Sequence, residues 1–292
     1  MSYVITGATG HLGRLVVQDL LRRGVPAGNI TAAGRDITKV KDLADRGVRI
    51  LAIDYDDPAS LDAAFRGADR ILLVSASEPG RRAQQHQNAI DAAVRAGAGL
   101  LAYTSIANAG TTTMRLAAEH EATEVALRAS GLTYALLRNS WYFENYTARI
   151  PAILQRGSLA GSAGDGRVSA ATRADYAAAA AAVLAGDGHE SPGDGHEGRA
   201  YELGGDEAFT LAELAAEIGA QAGQPVSYLD LPEDEYARVL TGAGLPEAAA
   251  VTLADADRGL ARGDLFVDSG DLSRLIGRPA TTLREAVAGA LR

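Results

Sequence analysis

The chain contains no cysteine, and only two of its 292 residues are lysines, Lys39 and Lys41. The absence of cysteine excludes disulfides, thiolate catalysis and cysteine-ligated metals. The sequence also lacks an apolar run long enough to span a membrane, and its N-terminus lacks a basic-then-apolar signal pattern. A formal net charge of −9 argues against a nucleic-acid surface. We therefore expect a cytoplasmic protein that binds neither membranes nor nucleic acids.

Glycine is plentiful, and three glycines follow the first apolar segment in a Gly-x-x-Gly-x-x-Gly pattern. The turn reads Gly7-Ala8-Thr9-Gly10-His11-Leu12-Gly13. A sharp turn that lets a pyrophosphate approach backbone amides tolerates no Cβ at certain positions. A helix predicted from Leu12 to about Arg23 directs its N-terminal N–H groups at that anion. Because the pattern lies between a strand and a helix, it predicts a dinucleotide-binding turn.

The end of the second predicted strand indicates which dinucleotide binds. An NAD-specific site places Asp or Glu there for the ribose 2′-hydroxyl, whereas this chain has Arg35, whose guanidinium suits a 2′-phosphate. Asp36 follows directly and weakens that preference. We expect NADP as the cofactor, with NADPH preferred and NADH also accepted.

Strand-like and helix-like segments alternate through the first half of the chain. Strands are predicted near 2–6, 30–34, 48–53, 70–75, 100–104 and 133–137. This alternation predicts an α/β fold of the Rossmann type, a doubly wound parallel sheet, with a smaller C-terminal α/β lobe. We expect an NADP-binding domain at 1–150 and a substrate-side lobe at 151–292, from which some segments return to the sheet. Ligands bind beyond the carboxyl ends of such strands, here at Gly7, Arg35, Asp54, Ser75, Ser105 and Asn139.

A direct repeat, Gly-Asp-Gly-His-Glu, occurs at 186–190 and 193–197. Its His and Glu side chains suggest a metal site, but the surrounding glycine and proline leave nothing to preorganise ligands. We expect a duplicated flexible loop and no metal.

Reductases on this fold commonly use a Tyr-x-x-x-Lys pair to donate a proton as hydride arrives. None of the ten tyrosines has lysine four positions later, and the helix predicted over 114–130 contains neither residue type. His120 occupies the expected lysine position, with Leu116 at that of the tyrosine. A quinone tolerates this absence, because hydride addition forms a delocalised hydroquinone anion that water can protonate. His120 is a candidate general acid or orienting group, and a packing role is its structural alternative.

Several motifs together resemble the NmrA-like, atypical short-chain dehydrogenase/reductase family. They are the glycine turn and the segments 74–78, 102–105, 119–124, 137–146, 171–177 and 275–279. Within that family the chain is similar to the bacterial NAD(P)H:quinone oxidoreductases. The resemblance implies pyrophosphate binding by the glycine turn, 2′-phosphate contact by Arg35 and cofactor contacts from Ser75, Ala76 and Ser77. It also implies that 139–144 lines the nicotinamide and substrate space.

The predicted site combines these observations. The predicted cofactor-binding residues are Gly7, Ala8, Thr9, Gly10, His11, Leu12, Gly13, Arg35, Asp54, Val74, Ser75, Ala76, Ser77, Tyr103, Thr104, Asn139, Ser140, Trp141, Tyr142, Phe143 and Glu144. Ser105, Trp141 and Tyr142 are the predicted substrate contacts, and Tyr142 and His120 the candidate catalytic residues. The rings of Trp141 and Tyr142 suit stacking on a flat acceptor, with core packing as the alternative.

These residues favour an NADPH-dependent reductase that delivers hydride to a quinone or another flat aromatic acceptor. A reductase of triphenylmethane dyes or related aromatic cations is the first alternative, and carboxylates of Glu78, Glu119 or Glu144 turned inward would favour it. An NADP-binding redox sensor of the NmrA type is the second alternative. An epimerase or hydroxysteroid-type dehydrogenase is disfavoured, because its chemistry relies on the missing acid/base pair. Exposed apolar helix faces leave room for a homodimer.

Overall fold

The computed structural model describes residues 1–78, 80–186 and 195–292. Its strands are β1 (Tyr3–Ile5), β2 (Ile30–Gly34), β3 (Arg49–Ala52), β4 (Arg70–Leu73), β5 (Leu100–Ile106), β6 (Tyr134–Asn139), β7 (Ser158–Gly161), β8 (Arg167–Val168), β9 (Arg199–Leu203), β10 (Phe209–Thr210) and β11 (Ser227–Asp230). Its α-helices are α1 (His11–Arg22), α2 (Lys41–Asp45), α3 (Pro58–Phe65), α4 (Arg82–Ala96), α5 (Arg115–Ala129), α6 (Glu144–Thr147), α7 (Ile150–Arg156), α8 (Arg173–Ala185), α9 (Leu211–Ala222), α10 (Glu233–Gly242), α11 (Glu247–Ala261), α12 (Asp271–Ile276) and α13 (Leu283–Ala290).

Seven parallel strands form the central sheet, in the order β3-β2-β1-β4-β5-β6-β9. β1 is the third strand of this order, with Tyr3 opposite Ile30 of β2 on one side and Arg70 of β4 on the other. Strand order reverses beside β1, so the groove between the β1 and β4 ends is the place where such sheets bind ligands. The doubly wound α/β fold predicted from the alternation is confirmed.

Helices cover both faces of the sheet. Residues of α1, α8 and α12 pack on one face with the buried side chains of β1 and β2. Residues of α3, α4 and α5 pack on the other face around Phe65 and Tyr103. The run of small alanines in α8 lets this helix lie directly against α1. Both layers therefore hold the strand ends, and the loops that follow them, in fixed positions.

The second half of the chain both joins this sheet and builds structure outside it. α8 packs on the sheet and β9 extends it beside β6, whereas β7 pairs with β11 and β8 with β10 in two small sheets. An apolar cluster containing Trp141, Phe143 and Phe209 joins the small sheets to α9 and α11. The division at residue 150 stays a prediction, with α8 and β9 as segments that return to the sheet.

One sequence prediction falls on a segment that the structure describes only in part. Most of the repeat at 186–197 lies outside the described residues, so its role as a flexible loop stays a prediction.

Within 1–78, 80–186 and 195–292, no three His, Asp or Glu side chains are grouped as metal ligands. No helix in those ranges combines the length and apolarity that crossing a bilayer needs.

Candidate active site

The glycine turn joins β1 to the N-terminus of α1. Gly7 has a φ of +60°, in the left-handed region that favours glycine. The Gly10 N–H donates to the Gly7 carbonyl across 2.9 Å. A Cβ at Gly13 would lie 2.6 Å from the Gly7 carbonyl oxygen. The turn is thus too compact for a side chain, and no side chain caps the helix N-terminus, whose N–H groups stay available to an anion.

A cavity of about 250 Å³ runs from this turn across the ends of β2, β3 and β4. It is lined by Gly7, Thr9, Gly10, His11, Leu12, Gly13, Gly34, Arg35, Ile53, Asp54, Tyr55, Val74, Ser75, Ala76, Ser77, Glu78 and Gln85. Most of the predicted cofactor residues from the first 77 positions are in this lining. Ala8 is not, because it is fully buried below the turn.

Arg35 lies at the outer end of this first cavity and is ion-paired with Glu78. Glu78 also lies 3.4 Å from an Arg81 nitrogen and accepts a hydrogen bond from Gln85 at 3.3 Å. Asp36 is occupied with the Thr38 backbone N–H and hydroxyl, which lowers the pKa of Asp36. The residue that competes for Arg35 is therefore Glu78 rather than the neighbouring Asp36.

Sequence reasoning missed Tyr55, which also lines the first cavity. Its hydroxyl is 2.5 Å from the Thr6 hydroxyl and donates to the Val74 carbonyl at 2.8 Å. Burial raises the pKa of Tyr55 above the usual tyrosine range, so the phenol is neutral. Its position directly after Asp54, at the end of β3, is the signal that would have included it.

A second cavity, of about 360 Å³, continues the first across the ends of β5 and β6. The two cavities share His11, Leu12, Val74, Ser75, Ala76 and Ser77. The second is also lined by Arg82, Ser105, Ile106, Leu116, His120, Asn139, Ser140, Trp141, Tyr142 and Arg173. The fold thus brings the predicted residues from 105 to 142 into one groove with the glycine turn.

Four of the predicted cofactor residues from 103 onward lie outside both linings. Tyr103 is fully buried below the groove, and Thr104 accepts a 2.9 Å hydrogen bond from the Ser75 N–H. Phe143 stacks on Phe209 at a centroid distance of 5.4 Å. Glu144 pairs with Arg173 and accepts from its backbone N–H at 2.9 Å. In the structure these four side chains support the groove from outside its lining.

Asn139 and Tyr142 lie side by side in the second cavity. The Asn139 side-chain amide donates to the Tyr142 hydroxyl at 3.3 Å, while Asn139 Oδ1 is buried without a hydrogen-bond partner. The Arg173 guanidinium lies 4.5 Å from the centre of the Tyr142 ring. Burial raises the pKa of Tyr142, so its hydroxyl is protonated at neutral pH. The pair therefore presents one free acceptor and a flat ring.

Ser105 is part of a buried charged network. Its hydroxyl donates to Glu124 at 2.7 Å, and Arg138 donates to both oxygens of the same carboxylate at 2.9 and 2.6 Å. Burial opposes ionisation of Glu124, but the hydrogen bonds from Arg138 and Ser105 outweigh it and lower its pKa. The Ser105 hydroxyl therefore donates its hydrogen bond to the Glu124 carboxylate and has no second proton to donate to a ligand.

The two histidines beside the groove are neutral. His86 Nε2 accepts from the Ala76 N–H at 2.9 Å, and burial lowers its pKa to about 3. His120 Nδ1 lies 2.7 Å from the Tyr103 hydroxyl. Burial, reinforced by the nearby Arg82 charge, holds the pKa of His120 well below its usual value. His120 therefore reaches the cavity as a neutral ring, which opposes a role as an imidazolium acid.

Arg82 lines this cavity but is not among the predicted site residues, and the same holds for Ile106 and Arg173. Arg82 is only 5% exposed, and its Nε donates to the Ala76 carbonyl at 2.7 Å. Its Nη1 lies 3.6 Å from a Glu119 oxygen and is buried without a hydrogen bond. A buried guanidinium that keeps an unused donor in a cavity is suited to an anionic or carbonyl oxygen.

Observations on this groove fit a dinucleotide. The turn excludes a Cβ at Gly13, and an arginine follows β2. Two buried polar atoms of residues that line the second cavity, Asn139 Oδ1 and Arg82 Nη1, have no hydrogen-bond partner. A ligand that carries phosphates, an amide and an electron-accepting ring would fill the groove and pair with these polar groups.

Comparisons with known proteins agree with this geometry. A model of the NAD(P)H-binding family matches residues 7–187. The chain belongs to this NAD(P)H-binding family.

Among curated proteins, the chain is 49% identical over 284 residues to quinone oxidoreductase 2 of Escherichia coli (strain K12), covering 97% of this chain and 96% of that protein. The NADPH complex of the E. coli quinone oxidoreductase QOR2 matches with a TM-score of 0.93 and 48% identity, covering 99% of this chain and all of that one.

A triphenylmethane reductase from Citrobacter sp., complexed with NADP(H), matches with a TM-score of 0.92 and 36% identity, covering 99% of this chain and all of that one. NmrA, at 14% identity and a TM-score of 0.77, shares the fold. The predicted resemblance to the bacterial NAD(P)H:quinone oxidoreductases is confirmed by the identity to quinone oxidoreductase 2.

Proposed function

We propose that this chain is an NADPH-dependent reductase that transfers hydride to a quinone. The observation that carries the proposal is the charge of the second cavity. Its lining, within the part of the chain that the structure describes, contains Arg82 and Arg173 and no carboxylate, because their ion-pair partners Glu119 and Glu144 lie outside it. This lining suits an acceptor that becomes an anion when it receives hydride and opposes an acceptor that arrives as a cation.

In this proposal, the glycine turn holds the pyrophosphate and Arg35 the 2′-phosphate. Asn139 Oδ1 offers an acceptor to the nicotinamide amide, and the rings of Trp141 and Tyr142 confine a flat acceptor. Residues 1–150 carry most of the cofactor site, and 151–292 close its substrate side. When bound, NADPH supplies the hydride.

Arg82 replaces the missing Tyr-Lys pair in this proposal. A quinone that receives hydride becomes a hydroquinone monoanion, and its oxygen then takes a proton from water. Arg82 Nη1 donates a charge-assisted hydrogen bond to that oxygen, so no dedicated acid is needed. The neutral rings of His120 and His86 add no charge beside it.

Measurements of NADPH oxidation distinguish the three functions considered from the sequence, a quinone reductase, a reductase of aromatic cations and a redox sensor. We expect rapid loss of NADPH absorbance with a benzoquinone and a naphthoquinone, a much slower loss with a triphenylmethane dye, and only background loss without acceptor. The Tyr142→Ala variant should reduce quinone turnover while keeping NADPH affinity. Reduction of the dye alone would transfer the assignment to aromatic cations. Cofactor binding without any turnover would support a redox sensor.

The ion pair between Arg35 and Glu78 leads to a prediction about cofactor selectivity. Replacing Glu78 by Gln frees Arg35 and removes a negative charge beside the 2′-phosphate. An exposed ion pair is worth up to about 1 kcal/mol, so the KM for NADPH should fall by about threefold to fivefold. The KM for NADH should not change. Steady-state kinetics with both cofactors measure this difference.

Arg35→Ala is the opposite control for this prediction. It removes the proposed phosphate contact, so it should raise the KM for NADPH by roughly tenfold or more, as expected for a hydrogen bond to a charged group. An unchanged ratio of the two Michaelis constants in both variants would refute the assignment of Arg35. The cytoplasmic location and the homodimer also stay predictions.

A further inference from the structure

Trp141 separates the second cavity from a third one, which we call the α10–α11 cavity. Its volume is about 150 Å³, and it lies between the segment after β6 and the helical pair α10 and α11. It is lined by Trp141, Asn145, Tyr146, Arg149, Tyr236, Leu240, Leu245, Leu253 and Asp257. Trp141, Asn145 and Tyr146 belong to the segment 137–146 that carries part of the family resemblance.

The polar groups of this cavity are poorly paired. Asp257 is 6% exposed, and one of its oxygens accepts from the Ser162 N–H at 2.9 Å. Burial raises the pKa of Asp257 to about 7, although the Ser162 hydrogen bond and the Arg149 charge act in the opposite direction. The Tyr146 hydroxyl is buried with no partner. The cavity thus contains a carboxyl group and a phenol that both lack a complete set of hydrogen bonds.

The remaining walls are apolar or aromatic. Leu240, Leu245 and Leu253 face the cavity together with the Trp141 ring. At the edge, Arg149 donates to the Tyr236 hydroxyl at 3.3 Å. An internal volume near 150 Å³ is enough for a single benzene-sized ring. The charges of Arg149 and Asp257 oppose each other, so the lining selects no ion of either sign, whereas a neutral ring with a hydroxyl group meets both kinds of wall.

We propose that the α10–α11 cavity is a second binding site for a single-ring phenol, with the ring beside Trp141 and its hydroxyl donating to Asp257. The Tyr146 hydroxyl donates to the phenol oxygen and so gains the hydrogen-bond partner that it otherwise lacks. Both hydrogen bonds need only the ligand's hydroxyl group, and the ring fills the apolar part.

The ligand class includes hydroquinone, and this link rests on the proposed function. Trp141 lines both this cavity and the second cavity. A hydroquinone bound here would therefore lie behind the wall of the cavity in which it is formed. Binding of phenol itself does not depend on any turnover.

The experiment uses the full chain saturated with NADP⁺ and titrates phenol, with toluene as the ring that lacks a hydroxyl. Isothermal titration calorimetry should show one phenol per chain and at least tenfold weaker binding of toluene. Asp257→Asn keeps an acceptor for the Ser162 N–H but loses the carboxylate, and should weaken phenol at least tenfold. Tyr142→Phe, in the second cavity, should leave phenol binding unchanged. A crystal grown with phenol should show the ring beside Trp141.

Three results would overturn the site. They are equal affinity for toluene and phenol, loss of phenol binding in Tyr142→Phe rather than Asp257→Asn, and a crystal in which only water fills the cavity. If Asp257→Asn does not fold, Leu245→Phe fills the cavity from its edge and should abolish phenol binding. These experiments measure phenol binding and not turnover. The proposed site can therefore be tested even if the protein does not reduce quinones.

Discussion

Replacing Arg82 by Met should lower kcat for a benzoquinone by about 100-fold, the usual effect of removing one donor from an oxyanion site. Met keeps the volume of the arginine stem but removes the buried donor and its charge. The same change should leave turnover of a cationic dye unaffected or raise it, since hydride neutralises a cation without creating an anion. This opposite response to acceptor charge distinguishes an electrostatic role of Arg82 from a general loss of structure.

The measurement compares kcat with the quinone and the dye, together with NADPH affinity from fluorescence titration. Affinity needs checking because Arg82 Nε also holds the Ala76 carbonyl. Arg95→Met is the matched control, because Arg95 lies on the same helix, is half exposed and pairs with Asp62 on the surface. Arg82→Lys keeps the charge and should lose less activity than Arg82→Met. A quinone kcat near wild type in Arg82→Met would exclude the proposed role.

Gly13→Ala should weaken NADPH binding by roughly 100-fold or more. The new Cβ would lie 2.6 Å from the Gly7 carbonyl oxygen and 2.9 Å from the Ala8 Cα. Both contacts are with backbone atoms, so the turn or the start of α1 must move. Losing one backbone hydrogen bond to the charged pyrophosphate, worth about 1.5–3 kcal/mol, is enough for an effect of this size.

Two other glycines provide a graded control. At Gly10 a Cβ would lie 3.3 Å from the Gly7 carbonyl oxygen, and at Gly28 it would meet nothing within 4 Å. The loss of NADPH affinity should therefore follow the order Gly13→Ala, Gly10→Ala, Gly28→Ala, with the last near wild type. Fluorescence titration gives the affinities and thermal melting confirms folding. Wild-type affinity in a folded Gly13→Ala protein would contradict the assigned turn.

The predicted residues that line the groove, and those that do not, differ for a physical reason. Segments at the carboxyl ends of strands are recognisable in sequence because apolar runs stop there, which placed Asp54, Ser75, Ser105 and Asn139 correctly at the groove. Successive strand residues face opposite sides of a sheet. The sequence does not state which side Tyr103 faces, and in the structure it is buried below the groove.

Arg81 and Arg82, the residue before α4 and its first residue, show the same limit. They are adjacent and chemically identical, yet the Arg81 side chain is 60% exposed and that of Arg82 is 6% exposed. The difference arises from the rotation of α4 against β4 and α5, which depends on the packing of the whole layer. No local pattern distinguishes the two arginines.

The sequence by itself determined the fold class, the glycine turn and the absence of a Tyr-Lys pair. These features depend on the period of apolar residues, on a missing Cβ and on residue identity, all of which are local. Only the tertiary structure decided that Glu78 forms an ion pair with Arg35, that Arg82 lines the second cavity and that Asp257 is buried in the cavity behind Trp141. Each of these depends on segments far apart in the chain meeting at one point, and packing of the complete fold sets that meeting.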